Sequence, residues 1–200
     1  MRYSIPNPEF RLETIRKNPS ANQCGGRGRS TAASRGYNAE RLASAVLDPE
    51  SSIDNFSNEN LYDVYIDESL SPHADSIYVE CKSCVYRYPS GGYGRFRIWE
   101  DNHLKFLNKK ESSSDDHIFA YFFVVYTIKN GVEQEVGKVL VPALHVDHVI
   151  DWWSYIEHDS MGETWVRDIS WHHLFEKLCV TPEELVEKDA INLMSILFER

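Results

Sequence analysis

The stretch IFAYFFVVYTI, residues 118–128, is almost wholly apolar or aromatic. A strand with one wet face alternates polar and apolar residues, and a surface helix repeats them about every 3.6 positions. This run does neither. Its length suits a central strand buried on both sides, so the sheet containing it needs a covering layer on each face. The run VGKVLVPALHV supplies a plausible next strand, ending near Pro142. GYNAERLASAVL places Ala39, Leu42, Val46 and Leu47 at helical spacing between Gly36 and Pro49, which predicts a first helix over about 37–48. These elements imply an α/β chain with a central mixed β-sheet flanked by helices. Two hundred residues with 42% apolar content are enough for one domain with a sizeable core.

The remaining segments extend that plan. LYDVYI and IYVECKSCVYRY read as two strands joined by the polar turn DESLSPHADS, a hairpin whose arms carry Asp63 and Glu80. PSGGYG breaks the chain, and RFRIWEDNHLKFLNKK reads as a short strand or turn leading into a helix near 100–109. HVIDWWSYI resembles an amphipathic connector or helix. At the carboxyl end, Thr181, Pro182 and Glu184 form a helix-start signal. Leu185, Ile191, Leu193, Met194 and Leu197 then provide an apolar surface for the domain or for a second subunit. The expected organisation is an irregular basic segment over 1–34 and one domain over 35–200, with its core at about 35–150 and a C-terminal helical extension.

Charge is unevenly distributed. The formal net charge is -10, yet residues 1–41 carry eight Arg or Lys against three acids. A basic amino-terminal part can meet a polyanion even in an acidic chain. CGGRGRSTAAS lacks the Lys and hydroxyl residue that close a phosphate loop, so it is not read as an ATP site. No apolar run approaches the roughly 20 residues that cross a bilayer, and no signal-peptide core follows Met1, so the expected location is cytoplasmic. Cys24, Cys81, Cys84 and Cys179 are too irregularly spaced for a disulfide framework, and free thiols are expected.

Within YVECKSCVYRY, Cys81 and Cys84 invite a zinc reading, while Glu80 and Lys82 invite another. A zinc knuckle needs a turn that brings both thiolates together. The β-branched and aromatic neighbours favour a strand, where Tyr78, Glu80, Lys82 and Cys84 share one face and Cys81 points to the other. Charges on such a strand are costly unless paired, metal-bound or directed into a cleft. Asp63, on the partner arm, can add a second hard oxygen ligand of the kind magnesium prefers. Asp75 is a competing acid, but Pro72 and polar neighbours place it in the turn.

Asp63 in LYDVYI followed by Glu80 and Lys82 in VECKS resembles the PD-(D/E)xK nuclease superfamily, although Tyr62 stands where the family proline is usual. The resemblance covers about 35–150 and is similar in layout to archaeal Holliday-junction resolvases. It implies a restriction endonuclease-like core in which Asp63, Glu80 and the Cys81 backbone carbonyl hold Mg2+, with Mn2+ able to substitute. Lys82 would orient or activate water, and Glu40 on the first helix is a candidate outer ligand. The implied activity is hydrolysis of phosphodiester bonds in duplex or structured DNA, leaving a 5′-phosphate and a 3′-hydroxyl. Arg95 and Arg97, with His103 on the following helix, are candidate phosphate contacts, and Arg27, Arg29, Arg35 and Arg41 can extend the positive surface. A homodimer would present two sites to two strands. The alternatives are a noncatalytic nucleic-acid-binding or assembly module on the same scaffold and a zinc-stabilised interaction module. RNA as substrate also stays open.

Overall fold

The structure, a computed structural model, describes residues 32–47, 62–67, 76–112, 117–129, 132–158 and 162–178. The elements are α1 (Ala32–Leu47), β1 (Val64–Asp67), β2 (Ser76–Val85), β3 (Arg95–Trp99), α2 (Glu100–Ser112), β4 (His117–Lys129), β5 (Val132–Pro142), α3 (Ala143–Asp147), β6 (Ser154–His158), β7 (Gly162–Ser170) and α4 (Trp171–Lys177). The helix expected from Thr181 and most of the basic amino-terminal segment lie outside the described residues.

The apolar run forms the middle of β4. Ala120, Phe122, Val124 and Tyr126 enter one core cluster, and Phe119, Tyr121, Phe123 and Val125 enter the other. Period two thus divides eight buried residues between two cores, the valine and phenylalanine side chains each contributing about 1.5–3 kcal/mol when fully buried. The first sheet has the order β1-β2-β4-β5. β1 and β2 are antiparallel, β2 and β4 parallel, and β4 and β5 antiparallel. The parallel pair needs a long crossover, which β3 and α2 provide.

α1 covers one face of this sheet through Ala39, Leu42 and Ala43. It begins before Gly36, so this glycine lies inside the helix rather than ahead of it. A helical glycine costs about 1 kcal/mol relative to alanine, less than the burial of the face that follows it.

The other face packs on a second sheet of order β3-β7-β6. Phe96 and Ile98 of β3 and Ile169 of β7 join the core containing Phe123 and Val125. This sheet corrects the reading of HVIDWWSYI as one connector or helix: the helix ends at Asp147, and Ser154–His158 pairs with β7 from Ser154↔Val166 to His158↔Gly162. Strand partners from 162–170 outweigh the local helical pattern there.

A tight return after β2 links the two sheets. Tyr88 N–H donates to Gly92 O (2.8 Å), and Gly91 takes φ 87° in the turn. At Gly94 an added Cβ would lie 1.6 Å from Val85 O, so only glycine lets the returning chain pass. Trp171 fastens this return to α4, its Nε1–H donating to Tyr86 O (2.7 Å) and its backbone N–H to Gly94 O (3.1 Å).

Candidate active site

β2 is extended through the whole ECKSC stretch, so the two thiols separate. Cys81 lies in the core beneath α1, and Cys84 lies in the opposite core, buried rather than at a sheet edge. Among the described residues both cysteines are free. Glu80 and Lys82 alternate with Cys81 and share the face of Tyr78 and Cys84. Their side chains keep 13% and 16% exposure, and the Lys82 ammonium donates to Glu80 Oε1.

β1 brings Asp63 to the same place. Asp63 N–H donates to Val79 O (2.8 Å), and its Oδ2 accepts from Cys81 N–H (2.6 Å), so the residue brackets Glu80 across the pair. In an antiparallel ladder the N–H and C=O of one residue leave the same strand edge. The Cys81 carbonyl therefore faces the Asp63 side. Glu40 approaches from α1, near enough to act electrostatically on Asp63 and to feel Glu80 and Lys82. The structure brings Glu40, Asp63, Glu80 and Lys82 into one cluster.

Three carboxyl groups then share one ammonium. Burial, followed by the Glu80 charge, raises Glu40 to about 7 against the pull of Lys82. Burial, Glu80 and Glu40 raise Asp63 to about 8, although the Cys81 N–H bond and Lys82 oppose the shift. Burial works against a charged Lys82, but Glu80, by charge and hydrogen bond, and Asp63 raise its pKa above the usual lysine value. Lys82 stays an ammonium.

That imbalance tests the fit of a divalent cation. Hard oxygen donors suit magnesium, and a positive charge is what carboxyls held at about 7 and 8 lack. Among the described residues no three His, Cys, Asp or Glu side chains already stand as a ligating set. The donor chemistry of Asp63, Glu80 and the Cys81 carbonyl, with Glu40 outside them, is of the kind that could hold a hard divalent ion. A zinc site is disfavoured because the two cysteines occupy opposite cores.

The expected phosphate contacts divide. Arg95 is exposed on β3, and no carboxylate pairs with it among the described residues. Arg97 forms a two-pronged pair with Asp168, Nε and Nη2 each 2.8 Å from a carboxylate oxygen, and this partner raises its pKa further. Arg35 and Arg41 lie half-buried on α1. Arg27, Arg29 and the competing Asp75 lie outside the described residues.

His103 requires correction as a phosphate contact. Its side chain has 0% exposure, with Nδ1 2.9 Å from Tyr121 Oη and Nε2 3.1 Å from Asp147 Oδ1. Burial lowers its pKa against the opposing Asp147, so the neutral ring accepts from Tyr121 and donates to Asp147. The sequence reading missed Tyr121 as a neighbour of the cluster. It is the parallel-register partner of Glu80, whose charge helps raise its pKa after burial. Asp168 and Asp147 were missed too, because each meets its partner only across elements distant in the chain.

Residues 27–176 match the family described as the PD-(D/E)XK nuclease superfamily domain. No curated protein and no solved structure matches the chain. The match is to the superfamily, and the likeness to archaeal Holliday-junction resolvases is finer than it reaches. Three quarters of the sequence falls within the match, and the mixed sheet with flanking helices is the α/β arrangement of restriction endonuclease-like folds. The chain belongs to the PD-(D/E)XK nuclease superfamily.

Proposed function

We propose that this protein is a divalent-metal-dependent endodeoxyribonuclease acting on duplex or structured DNA. The observation that supports it is the gathering of Glu40, Asp63 and Glu80 around one lysine, with two of the carboxyls held at about 7 and 8. When bound, Mg2+ or Mn2+ supplies Lewis-acid stabilisation of the phosphate and lowers the pKa of a bound water. Asp63, Glu80 and the Cys81 carbonyl are its proposed holders, and Glu40 orients water at the outer side. Lys82, kept charged by its neighbours, positions the attacking water and stabilises negative charge developing on the phosphate. Arg95 and Arg97, with Arg27, Arg29, Arg35 and Arg41, are the proposed contacts along the backbone. A two-fold dimer would address both strands of a duplex, and light scattering with and without DNA reports it.

The test is a cleavage screen with Mg2+ and Mn2+ on blunt duplex, junction, flap and single-stranded DNA beside matched RNA, with product ends mapped. Cleavage of DNA leaving a 5′-phosphate, lost in Asp63→Asn and Lys82→Gln proteins that keep their thermal transition, is the expected result. Folded variants that cut at the original rate would falsify the assignment.

The Lys82–Glu80 ion pair favours a second reading, a noncatalytic nucleic-acid-binding module on the same scaffold. Salt-sensitive DNA binding with no metal-dependent product on any substrate identifies that case.

A further inference from the structure

The surface between β3 and β7 carries a groove that shares no residue with the Asp63–Glu80–Lys82 cluster. Two shallow pockets, of about 530 Å3 and about 390 Å3, run into one another because Arg95, Asp168 and Ser170 line both. Tyr88 and Tyr93 wall one end, and Trp152 and Arg167 wall the other.

The two aspartates of the groove are already engaged. Asp168 holds Arg97, and Asp151 lies 3.8 Å from Arg167. Three arginines against two aspartates leave Arg95 as an excess positive charge at the junction of the pockets, in a chain whose formal net charge is -10. Aromatic surface flanks it on both sides. Trp152 is 58% exposed, and the Arg167 guanidinium sits 3.8 Å from its ring centroid, backing one face of a ring that is otherwise open to solvent. Tyr88 is 41% exposed at the opposite end. Between them Tyr93 is fixed by Arg87, 4.3 Å from its centroid, and by a near-parallel stack on His172 at 4.6 Å.

A cation between exposed ring faces is the chemistry that holds a flexible polyanion with flat side groups. An acidic peptide would satisfy Arg95 but leave the rings unused. A duplex would offer phosphates but hide its base faces. We propose that this groove binds a single-stranded stretch of nucleic acid, Arg95 meeting a phosphate while Trp152 and Tyr88 stack on bases. It rests on the nuclease reading for its choice of nucleic acid, and it gives that reading a substrate with an unpaired arm.

Binding of the full chain to a labelled 15-nucleotide oligo(dT), and separately oligo(U), is measured by anisotropy at low salt with EDTA present. Blunt duplex and poly-glutamate are the competitors. Arg95→Ala and Trp152→Ala should each weaken single-strand binding about 5-fold to 100-fold. Arg95→Ala should also reduce the salt dependence by about one charge. Trp152→Phe, which keeps a ring, should bind within about 3-fold of the unaltered chain, assigning the Trp152→Ala loss to stacking rather than to misfolding. Absence of single-strand binding, unchanged affinity in both Ala variants, or displacement by duplex or poly-glutamate as effective as by unlabelled oligo(dT) each overturns the proposal. The two readings fail separately. Groove binding without cleavage of any substrate sinks the nuclease assignment alone, and cleavage with an insensitive groove sinks this one alone.

Discussion

The two sheets treat charge in opposite ways. On the second sheet Arg97 faces Asp168 and Arg167 faces Asp151, pairs at or near the surface in which each aspartate has its own arginine. On the first sheet Glu40, Asp63 and Glu80 converge on a single Lys82, and burial drives two of the carboxyls toward neutrality. Exposed pairs cost little to form and contribute little, so they need no functional explanation. Buried like charges cost a folded protein stability, and a chain that keeps them gains something other than stability. In the proposed function this contrast assigns chemistry to β1–β2 and recognition to β3–β7.

The largest expected effect breaks the first half of that contrast. In the endonuclease reading, Asp63→Asn and Lys82→Gln should each lower the cleavage rate about 100-fold to 1,000-fold, measured as initial rates on the best substrate. Comparable losses from Arg97→Ala would mean that chemistry is not confined to the first sheet.

Gly94→Ala asks whether the sheets are one cooperative unit. The new Cβ would overlap Val85 O at 1.6 Å, and backbone has no low-energy way to yield. A loss of about 3 kcal/mol or more in urea unfolding is expected, as a shift of one transition. A second transition appearing while the first stays in place would show that the sheets unfold separately.

The pH dependence of metal-free stability sharpens the electrostatic half. Asp63 rises from 3.8 to about 8 and Glu40 from 4.5 to about 7 on folding, so the folded chain holds these protons more tightly than the unfolded chain. Their contribution is fully present below the unfolded values and is lost as pH rises through about 7 and 8. The melting temperature in EDTA should therefore decline between about pH 5 and pH 8, and Asp63→Asn should flatten the decline. Added Mg2+ should raise the melting temperature more at pH 8 than at pH 5, since it binds the deprotonated carboxylates. A flat profile in EDTA would remove the claim of crowded carboxyls.

The smallest effect belongs to the second sheet. Arg97→Ala removes an exposed ion pair and should cost less than about 1 kcal/mol, diminishing further with salt. A larger loss would show that this pair is structural rather than a surface contact.

Much of the candidate site's geometry is legible in the sequence because strand periodicity is local. Aromatic and β-branched neighbours make ECKSC extended, and extension alone separates Cys81 from Cys84 while joining Glu80 to Lys82 on one face. The arms of the first hairpin were readable for the same reason. His103 was not: its position on α2 says nothing about which side of the helix the sheet will cover, and that side contains Tyr121 and Asp147. The second sheet was hidden as well, since β6 becomes a strand only by pairing with β7.

From the order of residues alone came the strand at 118–128, buried on both faces over 119–126, the α/β class it demands, and the Asp63, Glu80 and Lys82 pattern, because burial period and strand alternation operate within a few residues. The tertiary arrangement added the approach of Glu40, the burial and neighbouring carboxylates that hold Asp63 at about 8, and the pairing that occupies Arg97 while leaving Arg95 between exposed rings. Those depend on groups far apart in sequence meeting at short range, where Coulomb energy and desolvation are strong and where no local pattern records the distance.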